Sequence, residues 1–460
     1  MGAGFSFGAI RADDGVESCS LLQSMSVGGA RAIGSHLDLV AHESFVESSH
    51  VMELKNVFGR SVAKHPSRVG MSTLDPVLDP VEIDGKNTVP IFASLPASDA
   101  YRFVAAVTIG GQKFHAHIDT GSANMAIVAK KECETCLHYT PADGVCDNKM
   151  VQYAYGGGSW NISGWRGEVC AGARVQLGML NAGTPKFVAV VEDHHNLSQG
   201  TASQGIIGFG PGTRNTVYNS PSLIFELLDA NMLPHIFSFQ YCRGHKLLYS
   251  HKEGGLDYYE YINGKGILVV GGVQRDLYRG GFQYAAMNPS VSRDQGFYCT
   301  TMTKFELKSR IFPDVTVVLN ETQLTGGDII QGCNTIVDSG NDGGIRLVPE
   351  AYNKLTDFLN GYTFKNRPAI RGCPQKEDFP LFPDLIFTLS DTATLTISPE
   401  QYLIHATLWQ GKMCFNYASS FVSYKTNNNL GQSFLQTYYT VYDWQNARYG
   451  FAQSACASCD

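Results

Sequence analysis

The chain carries little charge for its length and has no long apolar run. Charged residues make up 17% of 460 positions, below the roughly one quarter usual for soluble domains. A hydrophobic fraction of 43% is enough to fill a core, which argues against disorder over most of the chain. No stretch of about 18 or more apolar residues occurs, which leaves no candidate for a membrane-spanning helix. Residues 1–30 also lack an apolar core of signal-peptide length. Basic runs with interleaved aromatics are missing, and a formal charge of −7 with a pI near 6.0 argues against a nucleic-acid partner.

Cysteine, glycine and aromatic residues are plentiful. Twelve cysteines are many for a reducing compartment and point to the secretory pathway, an acidic vesicle or the extracellular space. Three N-glycosylation sequons, at Asn161, Asn196 and Asn320, agree with that. The start Met1-Gly2-Ala3-Gly4-Phe5-Ser6 fits the myristoylation pattern, which matches often by chance. A chain that begins downstream of its natural start is the preferred reading. Glycine (48), Phe (25) and Tyr (22) suit a β-rich, turn-rich protein, and the length allows two or three domains.

Residues 1–97 form a leader of weak periodicity, with seven Lys/Arg against eleven Asp/Glu. One helical patch is expected over Val51–Phe58, then a turn-rich linker from Asp75 to Gly85. A poorly ordered leader and a propeptide are both open readings. From Tyr101 the pattern is strand after strand. Val104–Ile109 and Lys113–Ile118 read as a hairpin across Gly110-Gly111. Ser220-Pro221 is expected to start one helix, and Pro349 a second that Gly361 stops. A division near residues 285–295, around Asn288-Pro289, gives two lobes, 98–288 and 289–460.

One stretch organises the rest: Phe114-His115-Ala116-His117-Ile118-Asp119-Thr120-Gly121-Ser122. An alternating, apolar-leaning strand ends on an acid, followed at once by a hydroxyl residue, a glycine and a serine. Alone, such a motif is ordinary turn chemistry. A second copy, Thr335-Ile336-Val337-Asp338-Ser339-Gly340, stands half a chain later. Two strands ending in Asp-Ser/Thr-Gly predict a duplicated fold in which the acids meet.

These motifs, with Gly205-Ile206-Ile207-Gly208, Tyr438 to Asp443 and Arg448-Tyr449-Gly450-Phe451-Ala452, resemble the pepsin-like aspartic proteases. The resemblance runs from about Tyr101 to the end and implies a mainly β, bilobal fold with a cleft between two β-rich lobes. Within the family the chain is most similar to the β-secretase (memapsin) branch. Most pepsins place a tryptophan where this chain has Ala126. The segment Tyr153 to Trp160 resembles the flap, with Tyr155 at the flap tyrosine, Gly156-Gly157-Gly158 at a mobile tip and Trp160 supplying the displaced indole. Ile345-Arg346-Leu347 and Leu395 to Leu403 look like that branch too. By the same resemblance Cys242 pairs with Cys456, Cys333 with Cys459 and Cys373 with Cys414. Cys133, Cys136, Cys146, Cys170 and Cys299 stay unassigned, as does Cys19. A zinc reading of Cys133-x-x-Cys136 lacks a second ligand pair.

The chemistry explains the residue types. Two carboxylates around one water can activate it and polarise a peptide carbonyl, with no metal and no cofactor. Like charges held close share one proton over a wide acidic range. Gly121 and Gly340 let backbone amides reach the carboxylates. By resemblance Thr120 and Ser339 lock the two loops together, and Ser122 donates to Asp119. The matching residue after Asp338 is Asn341, where the family has Thr or Ser. Its amide can donate, but its size threatens the position of Asp338. Ile206-Ile207-Gly208 and Leu430-Gly431 should thread behind the acid loops, with Asn429 replacing an apolar residue. Arg346 is either a surface charge or, by analogy, a pocket residue favouring acidic or polar side chains. The implied activity is an aspartic endopeptidase acting at acidic pH on extended polypeptide, inhibited by pepstatin-type compounds, and monomeric. The alternative is a catalytically weak or inactive peptide-binding or inhibitor protein on the same fold. In the leader, Lys55 and Lys64 are the candidates to contact the acids. A glycosidase pair is the weaker reading, since such acids do not sit in symmetric Asp-Ser/Thr-Gly loops.

Overall fold

Alternation along Gln112–Asp119 puts Phe114, Ala116 and Ile118 on one face, and all three are buried in the main core. The computed structural model describes residues 87–94, 102–129, 138–154, 164–193, 203–212, 219–242, 246–251, 257–262, 265–325, 330–341, 344–403, 406–409, 412–415, 421–424 and 426–458, with Glu82 and Tyr417. All of these fall within one compact unit, residues 79–458. The expected helical patch at 51–58, most of the linker, Lys55 and Lys64 lie outside the described residues.

Strand β1 (Thr88–Ser94) pairs with β2 (Arg102–Ile109), and β2 pairs with β3 (Gln112–Asp119). The β2–β3 hairpin closes with Ile109 opposite Gln112. Its turn residues Gly110 and Gly111 have φ of 55° and 85°, a tight turn that favours glycine at both places. Beyond β3, β4 (Met125–Val128) pairs antiparallel with β5 (Gly205–Gly208). β5 in turn runs parallel to β3, with Gly208 opposite Asp119.

The same three-strand arrangement is built again in the second half. Strand β9 (Thr335–Val337) ends at Asp338 and runs parallel to β11 (Asn428–Leu430), which pairs antiparallel with β10 (Ile345–Leu347). Between the two copies lie β6 (Ile236–Cys242), β7 (Tyr278–Ala286) and β8 (Cys299–Thr300). The end of the chain then returns to the first half. Strand β12 (Tyr438–Asp443) pairs with β6, and β13 (Arg448–Ser454) pairs with β12 and β7. Both belong to the same 15-stranded sheet as β3.

Helix α1 (Leu223–Ala230) buries Leu223, Ile224, Phe225, Leu227 and Leu228. It starts later than Ser220-Pro221 predicts, because Ser222 is extended and holds the N-cap position. Asn288 caps α2 (Pro289–Gln295), its Oδ1 accepting from Val291 N–H. Helix α3 (Pro349–Phe358) buries Ala351, Leu355 and Phe358. Gly361 does not stop it. The helix widens into a π turn over Leu359–Thr363, held by buried Leu359 and by Thr363 Oγ1 donating to Leu381 O at 2.8 Å. Tertiary packing overrides the local glycine signal here.

Disulfides join Cys242 to Cys456 and Cys373 to Cys414, as the resemblance implies. Cys146 pairs with Cys170 across a strand pair. The expected Cys333–Cys459 bridge is corrected: Cys333 pairs with Cys299. Cys299 lies in β8 opposite Ile336 of β9, so the strand pairing brings it beside Cys333 just upstream of that strand. Cys459, Cys19, Cys133 and Cys136 lie outside the described residues.

Candidate active site

Each acid stands at a strand tip and is held by the loop that follows it. Gly121 N–H donates to Asp119 Oδ1 at 2.8 Å, and Gly340 N–H donates to Asp338 Oδ1 at 2.8 Å. A Cβ on Gly121 would lie 2.5 Å from Asp338 Oδ1, and one on Gly340 would collide with the Asp119 carboxylate. Each loop glycine therefore faces the acid of the other loop. Close approach, and not a special φ, is what requires glycine here.

The hydroxyls between acid and glycine tie the loops reciprocally. Thr120 N–H donates to Ser339 Oγ at 3.0 Å, and Ser339 N–H donates to Thr120 Oγ1 at 2.9 Å. Thr120 Oγ1 donates on to Val337 O at 3.1 Å, and Ser339 Oγ donates to Ile118 O at 2.8 Å. Thr120 and Ser339 are fully buried, so each lost bond would strand a polar group away from water. Tyr442 of β12 adds a fifth tie, its hydroxyl donating to Val337 O at 3.0 Å.

The outer carboxylate oxygens have different donors. Ser122 Oγ donates to Asp119 Oδ2 at 2.5 Å. Asp338 Oδ2 accepts from Asn429 Nδ2 at 2.6 Å, whereas the Asn341 side chain donates to Gly344 O and Asn429 Oδ1, both at 2.9 Å. The expectation that Asn341 crowds Asp338 is thus corrected: Asn341 turns its amide to Asn429, and Asn429 reaches the acid. The available signal was the run Asn427-Asn428-Asn429 on a strand that should be apolar, since buried amides need partners. Asn428 finds its own, with Oδ1 accepting from Val348 N–H at 3.0 Å.

Asp119 is 5% and Asp338 8% exposed. Burial, then the neighbouring Asp338 charge, hold the Asp119 carboxyl well above the usual carboxylate range, partly opposed by the Ser122 and Gly121 hydrogen bonds. Arg346 is half-buried in β10, with its guanidinium 5.4 Å from the Tyr424 ring centre. Ala126 is buried in a small cluster that contains Trp165, with Tyr153 packed against it. Tyr155, Gly156, Gly157, Trp160, Asn161 and Asn196 lie outside the described residues. Asn320 is exposed at the end of strand Thr316–Asn320. Among the described residues, no group of three or more His, Cys, Asp or Glu is placed to hold a metal, and no helix is long and apolar enough to cross a membrane.

A duplicated three-strand unit that brings two Asp-Ser/Thr-Gly loops together defines an acid-protease class of fold. The chain belongs to the eukaryotic aspartyl protease family, whose profile matches residues 102–454. It is 27% identical over 378 residues to a beta-secretase of Strongylocentrotus purpuratus, covering 75% of this chain and 64% of that protein. It is 24% identical over 370 residues to gastricsin of Oryctolagus cuniculus, covering 76% and 80%. Against aspergillopepsin-1 of Aspergillus oryzae the figures are 23% over 375 residues, 78% and 80%. The chain thus spans less than two thirds of the length of the Strongylocentrotus relative.

Proposed function

We propose that this protein is an aspartic endopeptidase in which Asp119 and Asp338 jointly activate a water. The observation that carries the reading is the reciprocal Thr120–Ser339 lattice, which holds two buried carboxylates face to face. The ionised member takes a proton from water as its oxygen bonds to the scissile carbonyl carbon, and the protonated member gives its proton to the carbonyl oxygen. The tetrahedral diol then collapses with proton transfer to the leaving amine. A pair that shares one proton works at acidic pH. Extended polypeptide fits between lobes 98–288 and 289–460, with Tyr155, Gly156, Gly157 and Trp160 as its cover and Arg346 facing acidic or polar side chains. A monomer sensitive to pepstatin-type inhibitors belongs to this reading.

The 27% identity to a beta-secretase supports placement near that branch, together with Ala126 and the Tyr155–Trp160 segment. Four disulfides among the described residues support an oxidising compartment, and exposed Asn320 is open to glycosylation. Residues 1–97 act as a propeptide on this reading. The Asn429 donor to Asp338 weakens the case for an inactive binding protein, which rested on Asn341. Wild type should cleave a mixed peptide library between about pH 3.5 and 6.5, and Asp119→Ala should lose at least about a thousandfold in rate. The proposal fails if wild type cuts nothing over that range, or if Asp119→Ala cuts equally well.

A further inference from the structure

The two acids differ in what their hydrogen-bond partners can do. Besides the opposite carboxylate, which the two acids share symmetrically, both oxygens of Asp338 face donors that cannot accept: Gly340 N–H at Oδ1, and the Asn429 amide NH2 at Oδ2. Asp119 Oδ1 likewise faces Gly121 N–H, but Asp119 Oδ2 faces the Ser122 hydroxyl. A hydroxyl rotates at little cost, donating to a carboxylate or accepting from a carboxylic acid.

The Asn429 amide does not have that freedom. Its Oδ1 accepts from Asn341 Nδ2 at 2.9 Å, and Asn341 Nδ2 also donates to Gly344 O at 2.9 Å. Turning Asn429 over would set its NH2 against the NH2 of Asn341. Turning Asn341 as well would set Asn341 Oδ1 against the Gly344 carbonyl, which has no hydrogen to give. Asn341 and Asn429 are 1% and 3% exposed, so water does not relieve the mismatch. The polarity of the relay is fixed from Gly344 O to Asp338.

We infer that the Asn341–Asn429 relay makes Asp338 the ionised member of the resting pair and leaves the shared proton on Asp119, at the oxygen next to Ser122. This rests on the endopeptidase reading and deepens it. Asp338 takes the proton from water, Asp119 gives its own to the carbonyl oxygen, and the pair ends the step with the proton exchanged. Titratable groups that interact with the acids include the Tyr241, Tyr442 and Tyr449 phenols, and the His117 imidazole reaches the Asp338 loop. Burial pushes all three phenols up, so they stay neutral. His117 Nε2 donates to Ser339 O at 3.1 Å, on the loop of Asp338. Asn341 and Asn429 are positioning residues, acting through Asp338.

The test is carbon-13 NMR of the full chain labelled at the aspartate carboxyls, with Asp119→Asn and Asp338→Asn assigning the two signals. In wild type, Asp338 should ionise first on raising the pH, and Asp119 should stay protonated to higher pH. Asn429→Leu should move the Asp338 ionisation up by about one pH unit, and the acid limb of kcat/KM with it. Asn429→Ser, which restores a rotating hydroxyl, should move it less. If Asn429→Leu does not fold, Asn341→Ala, which leaves Asn429 in place but free to turn, carries the same expectation. The relay is overturned if Asp119 ionises first in wild type, or if a folded variant leaves both titrations unchanged. Ordered titrations in a protein that cuts no peptide would support the relay while sinking the endopeptidase reading.

Discussion

Gly121 and Gly340 are each fixed by the carboxylate of the opposite loop, which makes them sensitive to a single methyl group. Gly340→Ala would drive a Cβ into the Asp119 carboxylate, and either the loop or the acid must shift. A misplacement near 1 Å costs on the order of a hundredfold in rate. Gly340→Ala should therefore lower kcat about a hundredfold or more, with native circular dichroism retained and KM little changed. Unchanged kcat would mean that the loops are further apart than this geometry requires. The acids, hydroxyls and glycines were legible in the sequence because they sit side by side in each motif. Asn429 was not legible as a partner of Asp338, since 91 residues separate the two and only the fold brings them together.

At the scale of elements, local patterns translated well where one force dominated. The β2–β3 hairpin follows from alternation around Gly110-Gly111, and α1 from apolar residues at helical spacing. Signals failed where a distant neighbour competed, as at Gly361, which the helix passes because Leu359 and Thr363 are held by packing. Cysteine pairing shows the same limit. The resemblance supplied Cys333–Cys459, whereas the β8–β9 pairing sets Cys333 beside Cys299. Non-reducing peptide mapping should recover a Cys299–Cys333 crosslinked fragment. This bridge closes a separation of 34 residues. Replacing both cysteines by alanine should lower unfolding free energy by about 3–4 kcal/mol in urea titrations. Recovery of Cys333 joined to Cys459 would overturn the assignment.

At the scale of the whole molecule, β12 and β13 carry the end of the chain back into the sheet of the first half. Tyr442 stacks on Phe237 with ring centres 4.7 Å apart, and its hydroxyl meets Val337 O beside Asp338. The site is thus bound to the global fold, and its protonation should register in global stability. Asp119 is held well above the unfolded aspartate value of about 3.9, by burial first and by Asp338 second. An acid raised in the folded state contributes stability fully present below the unfolded pKa, and that contribution is lost as pH rises through the folded value. Wild-type melting temperature should therefore fall, relative to Asp119→Asn, as pH rises from about 4 into the range where Asp119 ionises. Thermal melts of both proteins at matched ionic strength across that range would measure the difference. Parallel melting curves would mean that Asp119 ionises in the fold as easily as in the unfolded chain. In that case burial and the Asp338 charge do not act on it together, and the acidic working range proposed for the pair would lose its physical basis.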